Sequence, residues 1–270
     1  MPASRNRGTS AKQEVLRRLF EAFQPRQPPA FTNDDVKRIA QQIGFANPFD
    51  VTKIDSKETL PEIMHNQGYC IAHLGKGQHQ FLQELQHWFH DFEPIKENER
   101  IEWRYRKSLL NDLDRGEASV ISLVLNQHIL HDFVYEDVVA TPKIYIPGRT
   151  RADLTYWVGQ TFLKTQGLQM EMDLVLEYQG VVTVFEAKSK QKFPRDFAVY
   201  QLFHPAKYYH DRLREARLSA KVNACYILKS GTGKRSPRVR VRFYLYEFED
   251  FDRLDSIRLV RKAEYQLQPR

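Results

Sequence analysis

Asp173, Glu186 and Lys188 fall within one largely apolar stretch, Met170-Glu-Met-Asp-Leu-Val-Leu-Glu-Tyr-Gln-Gly-Val-Val-Thr-Val-Phe-Glu-Ala-Lys188, where charged residues need a reason. Period-two alternation predicts two β-strands, 170–177 and 181–187, joined at Gln179-Gly180, a pair suited to the positive φ of a tight hairpin turn. Pairing Tyr178 with Val181 fixes the register and sets Asp173 directly across from Glu186, Cβ atoms about 5 Å apart. Lys188 shares the side of Glu186 and comes opposite Glu171. A one-residue slip at the turn would change all of these partners. The other side, Met172, Leu174, Leu176, Val181, Phe185 and Ala187, is apolar and belongs against a core.

Two close carboxylates make a hard-oxygen site for Mg²⁺, with Mn²⁺ as a substitute; such an ion keeps several waters and bridges to a substrate phosphate. A nearby ammonium would orient or help deprotonate an attacking water and offset charge building on phosphorus, while the metal polarises the phosphate. The bland alternative is a solvated strand face, with Glu171 and Lys188 as a cross-strand ion pair worth less than about 1 kcal/mol. Strands this apolar belong inside a sheet, however, where unpaired carboxylates are costly. Metal-assisted phosphodiester hydrolysis is the chemistry expected.

Asp173, twelve intervening residues, then Glu186-Ala-Lys188 resembles the signature of the PD-(D/E)xK nuclease superfamily, the type II restriction endonucleases and related DNA-cleaving enzymes. Met172 stands where the signature's name has Pro. The resemblance implies that Asp173 and Glu186 bind metal, helped by the backbone carbonyl of Ala187, and that Lys188 is catalytic. It implies in-line attack leaving a 3′-hydroxyl and a 5′-phosphate, commonly by a homodimer that cuts both strands of duplex DNA. It also implies a Glu on the helix before the sheet and a polar residue, often Gln, on the helix after it.

The elements that would position these groups have candidates. Gly116–Leu130 reads as one buried helix with Glu117 at its start, where an acidic side chain either stabilises the helix dipole or reaches the metal. Downstream, Pro194 is expected to open a helix that Pro205 restarts or kinks. Gln201 would share a face of that helix with Phe197 and Tyr208, either satisfying a buried backbone group or supporting the catalytic residues.

Basic residues are unevenly placed in a chain of formal charge +7, which favours a polyanionic partner. Lys229–Arg238 is a basic, glycine-containing loop carrying Lys234 and Arg235, and Arg238, Arg240 and Arg242 alternate with valines to form a positive stripe. The stripe suits either phosphate contact or the protection of an edge strand. Arg149 and Arg151, together with Lys190 and Lys192 just past the motif strand, are further phosphate contacts to expect.

The first 95 residues read as a separate unit. Ala11–Phe23 has helical apolar spacing; Thr32 caps a second helix with Asp35 three residues on, and Gly44 ends it. Asn47-Pro48 is expected to cap a third. Tyr69–Leu74 and Gln78–Leu82 read as strands about the turn Gly75-Lys-Gly77. Helices followed by a basic-tipped hairpin resemble a winged helix-turn-helix, in which Thr52, Lys53 and Lys57 would lie on the recognition element and Lys76 at the wing tip. Such shapes also serve as protein-docking modules. His73 and His79 flank the turn symmetrically, but no third ligand accompanies them.

At 270 residues and 41% apolar the chain can bury one large core or two smaller ones, and it holds no run of the ~18 apolar residues that a membrane span needs. The start, Met1-Pro-Ala-Ser-Arg-Asn-Arg, lacks the apolar core of a signal peptide. Cys70 and Cys225, the two cysteines, have no metal-ligand spacing and suit a reducing cytoplasm, which the resemblance to restriction endonucleases implies is prokaryotic. The expectation is an α/β (α+β) restriction-endonuclease-like core, 96–270, with a mixed sheet flanked by helices, behind a winged-helix domain, 1–95. Its expected function is Mg²⁺-dependent, sequence-specific cleavage of double-stranded DNA. A repair or transposition nuclease of the same superfamily, and a non-catalytic winged-helix regulator, are the alternatives.

Overall fold

A computed structural model describes residues 10–106, 108–109, 116–230 and 239–269. The protein is mixed α/β, with a seven-stranded mixed sheet and, among the described residues, seven α-helices. The chain divides into two compact units. The first takes residues up to His90 and adds Asp153–Leu168 and Asp196–Ala198; the second takes Asp91–Ala152, Gln169–Arg195 and the residues from Val199 onward. The first unit therefore recruits two segments from beyond residue 95. No described helix is long and apolar enough to cross a membrane.

In the first unit, α1 (Ala11–Phe23) buries Val15, Leu16, Leu19, Phe20 and Phe23, the stripe expected of an amphipathic helix. After β1 (Ala30–Thr32) comes α2 (Asn33–Ile43). The Thr32 hydroxyl and the Asp35 carboxylate cap one another's backbone N–H groups, and Gly44 ends the helix at φ +74°. The third helix expected after Asn47-Pro48 does not form. The stretch makes only two 3₁₀ turns, Pro48–Asp50 and Lys57–Thr59, before the five-residue α3 (Glu62–Asn66). Val51, Thr52 and Ile54 are β-branched and buried there, which disfavours a helix and sends these side chains inward. β2 (Cys70–Gly75) and β3 (Gln78–Leu82) pair about Lys76-Gly77, both at positive φ, and the sheet order is β1–β3–β2.

In the second unit, β4 (Arg100–Tyr105) precedes α4 (Glu117–Asn126) and α5 (Ile129–Tyr135). The single helix expected over 116–130 is broken at His128, which takes a left-handed φ of 56°. Then follow β5 (Lys143–Tyr145), β6 (Leu174–Tyr178), β7 (Val181–Ser189), α6 (Tyr200–Glu215), β8 (Lys221–Ser230), β9 (Val239–Phe248) and β10 (Ile257–Pro269). The sheet order is β4–β10–β9–β8–β7–β6–β5. β6 and β7 form the expected hairpin, with Tyr178 opposite Val181 and Leu174 opposite Phe185, and with Gln179 and Gly180 both at positive φ. β7 and β8 run parallel, joined through α6.

α4 and α5 cover one face of this sheet. Val120, Val124, Leu130 and Phe133 pack on Leu174, Leu176, Phe185, Ala187, Cys225, Ile227 and Phe243. The apolar side read from the hairpin is thus a core face, and its opposite side carries Glu186 and Lys188. The helix expected to open at Pro194 begins instead at Tyr200, because Asp196–Ala198 is extended and the Asp196 carboxylate accepts from the Lys57 backbone N–H at 2.9 Å. Pro205 lies within α6 without ending it.

Candidate active site

The strand expected over 170–177 is interrupted at Asp173, a bend between a short strand, Leu168–Met172, and β6. Leu168–Met172 leaves the main sheet to pair with Gly148–Ala152. Asp173 still meets the end of β7: its Oδ2 accepts from the Ala187 backbone N–H at 2.8 Å. N–H and C=O of a strand residue lie on the same edge. The Ala187 carbonyl therefore faces the gap left where Met172 turns away. The departure also removes Glu171 from the position expected opposite Lys188. Glu171 binds Arg149 instead, at 2.7 Å.

Lys188 turns inward. Its Nζ lies 2.7 Å from Glu186 Oε1 and 2.9 Å from Glu117 Oε1, and its side chain is 14% exposed. Glu117, the first residue of α4, thereby joins the cluster from the far side of the lysine. Gln201, in the first turn of α6, donates through Nε2 to Glu186 Oε1 at 3.3 Å. Phe197 is in an extended segment, so the helical face expected to join it with Gln201 does not exist. Tyr226, paired with Glu186 across β7 and β8, donates its hydroxyl to Gln201 Oε1 at 3.3 Å. That bond turns the amide so that its NH₂ faces Glu186. Sequence reasoning missed Tyr226, because only the parallel pairing of β7 with β8 brings it to the site.

Electrostatics set the protonation states. Burial raises the Glu186 carboxyl well above its ordinary value, with the Asp173 charge adding to the effect and Lys188 opposing it. Burial likewise raises Asp173, against the Ala187 hydrogen bond and the Lys188 charge. Burial alone would lower Lys188, but Glu186 and Glu117 together hold it above the usual lysine value, so it stays an ammonium. A cation so held is placed to orient a water and to donate hydrogen bonds.

Among the described residues no group of three or more His, Cys, Asp or Glu is arranged to hold a metal ion by side chains alone. The donors fit a hard divalent cation in another way. Asp173 and Glu186 could supply carboxylate oxygens and Ala187 a carbonyl, and a cation there would favour the charged forms that burial disfavours.

The basic residues expected to touch DNA fall into distinct settings. Lys190 and Lys192 are exposed just past β7, and Lys53 and Lys76 are exposed in the first unit. Thr52 is 5% exposed and its carbonyl meets His73 Nε2 at 3.1 Å, so it is no surface contact. The Lys57 backbone N–H is tied to Asp196. Arg149 and Arg151 are exposed, near Glu171 and Gln169 respectively. Arg242 is committed to the buried Glu264 at 2.7 Å and lies over the Phe193 ring, beside Arg240. β9 is flanked on both sides by strands, so the arginine stripe protects no edge. Lys234, Arg235 and Arg238 lie outside the described residues.

A family model described as a domain of unknown function, DUF6997, matches residues 85–266, and a second, likewise a domain of unknown function, DUF6996, matches residues 13–81. No curated protein and no solved structure matches the chain.

Proposed function

For this chain, which belongs to the DUF6997 family, we propose a metal-dependent deoxyribonuclease with its active site at Asp173, Glu186 and Lys188. The observation that carries the reading is the ammonium of Lys188 held between Glu186 and Glu117, one residue past the backbone that receives Asp173. The order of elements is in keeping with a PD-(D/E)xK core: α4, the β6–β7 hairpin bearing Asp and Glu-x-Lys, then α6 crossing to the parallel β8. Support for a winged helix in the first unit is thinner. The β1–β3–β2 order fits, while the short α3 departs from it.

A bound Mg²⁺ supplies Lewis-acid polarisation of the phosphate and a more acidic water. Asp173, Glu186 and the Ala187 carbonyl would hold it. Lys188 donates hydrogen bonds toward the attacking water and the phosphate oxygens and offsets charge as it builds there. Glu117 keeps the lysine charged and turned inward, and Gln201 fixes the orientation of Glu186 through the hydrogen bond set by Tyr226. Lys190 and Lys192 extend the positive field along a phosphate backbone.

The finer proposal is a sequence-specific endonuclease of the type II restriction kind, acting on duplex DNA as a homodimer. Its test is digestion of a DNA of known sequence with Mg²⁺ and mapping of the ends. Discrete bands bearing 5′-phosphates are expected. A smear would remove the sequence specificity, and intact DNA under all metal conditions would remove the nuclease.

A further inference from the structure

In the first unit, Thr155–Val158 and Thr161–Lys164 form a hairpin in which Trp157 lies opposite Phe162 and Thr155 opposite Lys164. Tyr156, Val158 and Leu163 are buried and anchor one face. Thr155, Trp157, Phe162 and Lys164 line the other. Trp157 is 42% and Phe162 52% exposed, with ring centroids 5.1 Å apart.

The hairpin is held rigid at both ends. At its tip the Glu84 carboxylate accepts from the Gln160 backbone N–H at 2.9 Å and from the Thr161 hydroxyl at 3.0 Å. Gly159 takes a φ of +53° there, and a Cβ on it would collide with Glu84. At its base the Gln166 N–H donates to the Leu74 carbonyl at 2.8 Å, and Lys76 donates to the Gln166 side chain at 3.0 Å. The β2–β3 turn and the aromatic hairpin therefore form one continuous surface.

A cross-strand aromatic pair steadies its own hairpin. This one is already fixed at tip, base and buried face, yet Trp157 and Phe162 both remain exposed. Two cations belong to the same surface: Lys164, opposite Thr155 on the face of the rings, and Lys76, bonded to Gln166 just past the base. The carboxylates of Glu84 and Asp153 are engaged by the backbone N–H groups of Gln160 and Gly167. Rigid π faces that share a surface with ammonium groups suit bases strung on a phosphate chain.

We propose that Trp157 and Phe162 stack unpaired bases of a single nucleic-acid strand, with Lys164 and Lys76 on its phosphates. The proposal rests on the reading above only in taking a nucleic acid as partner. Trp157 is one of three tryptophans; Trp88 is buried, and Trp103 is half-buried and bonded to the Gln127 carbonyl. Quenching of intrinsic fluorescence by a short oligothymidine in EDTA thus reports chiefly on Trp157.

Single-stranded oligothymidine is expected to quench the emission, and a duplex of the same length to quench it far less. Trp157→Ala should remove the quenching and weaken binding of a labelled oligothymidine, read by anisotropy, by about tenfold or more. Trp157→Phe keeps a stacking face and should stay within about threefold of the parent affinity. Quenching absent in the parent, or retained in Trp157→Ala, overturns the proposal. So does sedimentation in which Trp157→Ala converts a dimer to a monomer, since a second copy would then cover the face. A protein that cuts DNA without quenching sinks this proposal alone; one that quenches without cutting sinks the nuclease reading alone.

Discussion

Replacing Glu186 with Gln should stabilise the metal-free protein in alkali while destroying its activity. Burial pushes this carboxyl from 4.5 to about 8, the nearby Asp173 charge adding to the effect and the Lys188 ammonium working against it. Between those values the folded chain keeps a proton that the unfolded chain has already released. Stability therefore falls as pH rises through the window and is lowest above it, at a limiting slope of about 1.4 kcal/mol per pH unit. Relaxation around a buried pair and entry of water reduce the total, and we expect about 1–3 kcal/mol at pH 8 and above. Gln has the volume of the protonated acid, keeps an oxygen for Gln201 and Lys188, and cannot ionise. Urea denaturation in EDTA should show Glu186→Gln matching the parent at about pH 5 and exceeding it at about pH 8.5. Added Mg²⁺ should raise the parent's midpoint, by linkage, and leave the variant's unchanged. A variant less stable than the parent at the alkaline pH would refute the reasoning, because it would mean that the Glu186–Lys188 pair is net favourable and that burying the Glu186 charge carries no net cost.

Three further outcomes follow from contacts around and beyond the site. Tyr226→Phe frees the Gln201 amide to rotate and should cut the cleavage rate or Mg²⁺ affinity about tenfold while moving stability by no more than about 1 kcal/mol, as kinetics and thermal melts would register. Arg242→Ala leaves Glu264, 2% exposed, without its guanidinium partner at 2.7 Å, and should cost about 3–5 kcal/mol in denaturant unfolding. In the first unit, His73 and His79 face each other through Nδ1 atoms 3.0 Å apart, and burial lowers them to about 4 and about 3 from 6.5. Below pH 6.5 the unfolded chain takes up protons that the folded one does not, so stability is lost as pH falls toward 4; hydrogen exchange of the β1–β3–β2 amides against pH should follow this, with a flatter acid limb in His79→Gln.

The facing of Asp173 and the end of β7 could be read from the chain because Gln179-Gly180 admits one tight pairing and the apolar alternation defines which side is the core. What could not be read depends on partners far away in sequence. The bend at Asp173 arises where Leu168–Met172 finds Gly148–Ala152, and with it Glu171 leaves Lys188 for Arg149. Lys188 then takes Glu117 as its second partner, a choice that the start of α4 alone left open. A helix at Pro194 satisfied local propensity, but Asp196 is extended to bind the Lys57 backbone, so tertiary structure overrode it. The arginines of β9 illustrate the same limit. Alternation places Arg240 and Arg242 on one side, while only the fold reveals that Glu264 and Phe193 already occupy it.

The central claim, that Asp173, Glu186 and Lys188 form a metal-dependent phosphodiester-cleaving site, is tested most directly by incubating supercoiled plasmid with the parent protein and with Asp173→Asn, each in Mg²⁺ and in EDTA. The account predicts cutting by the parent in Mg²⁺ alone, and a loss of about a hundredfold or more in Asp173→Asn, with DNA retardation in gels preserved. Cutting by Asp173→Asn at the parent's rate, or a parent that retards plasmid yet leaves it intact in both Mg²⁺ and Mn²⁺, would contradict it.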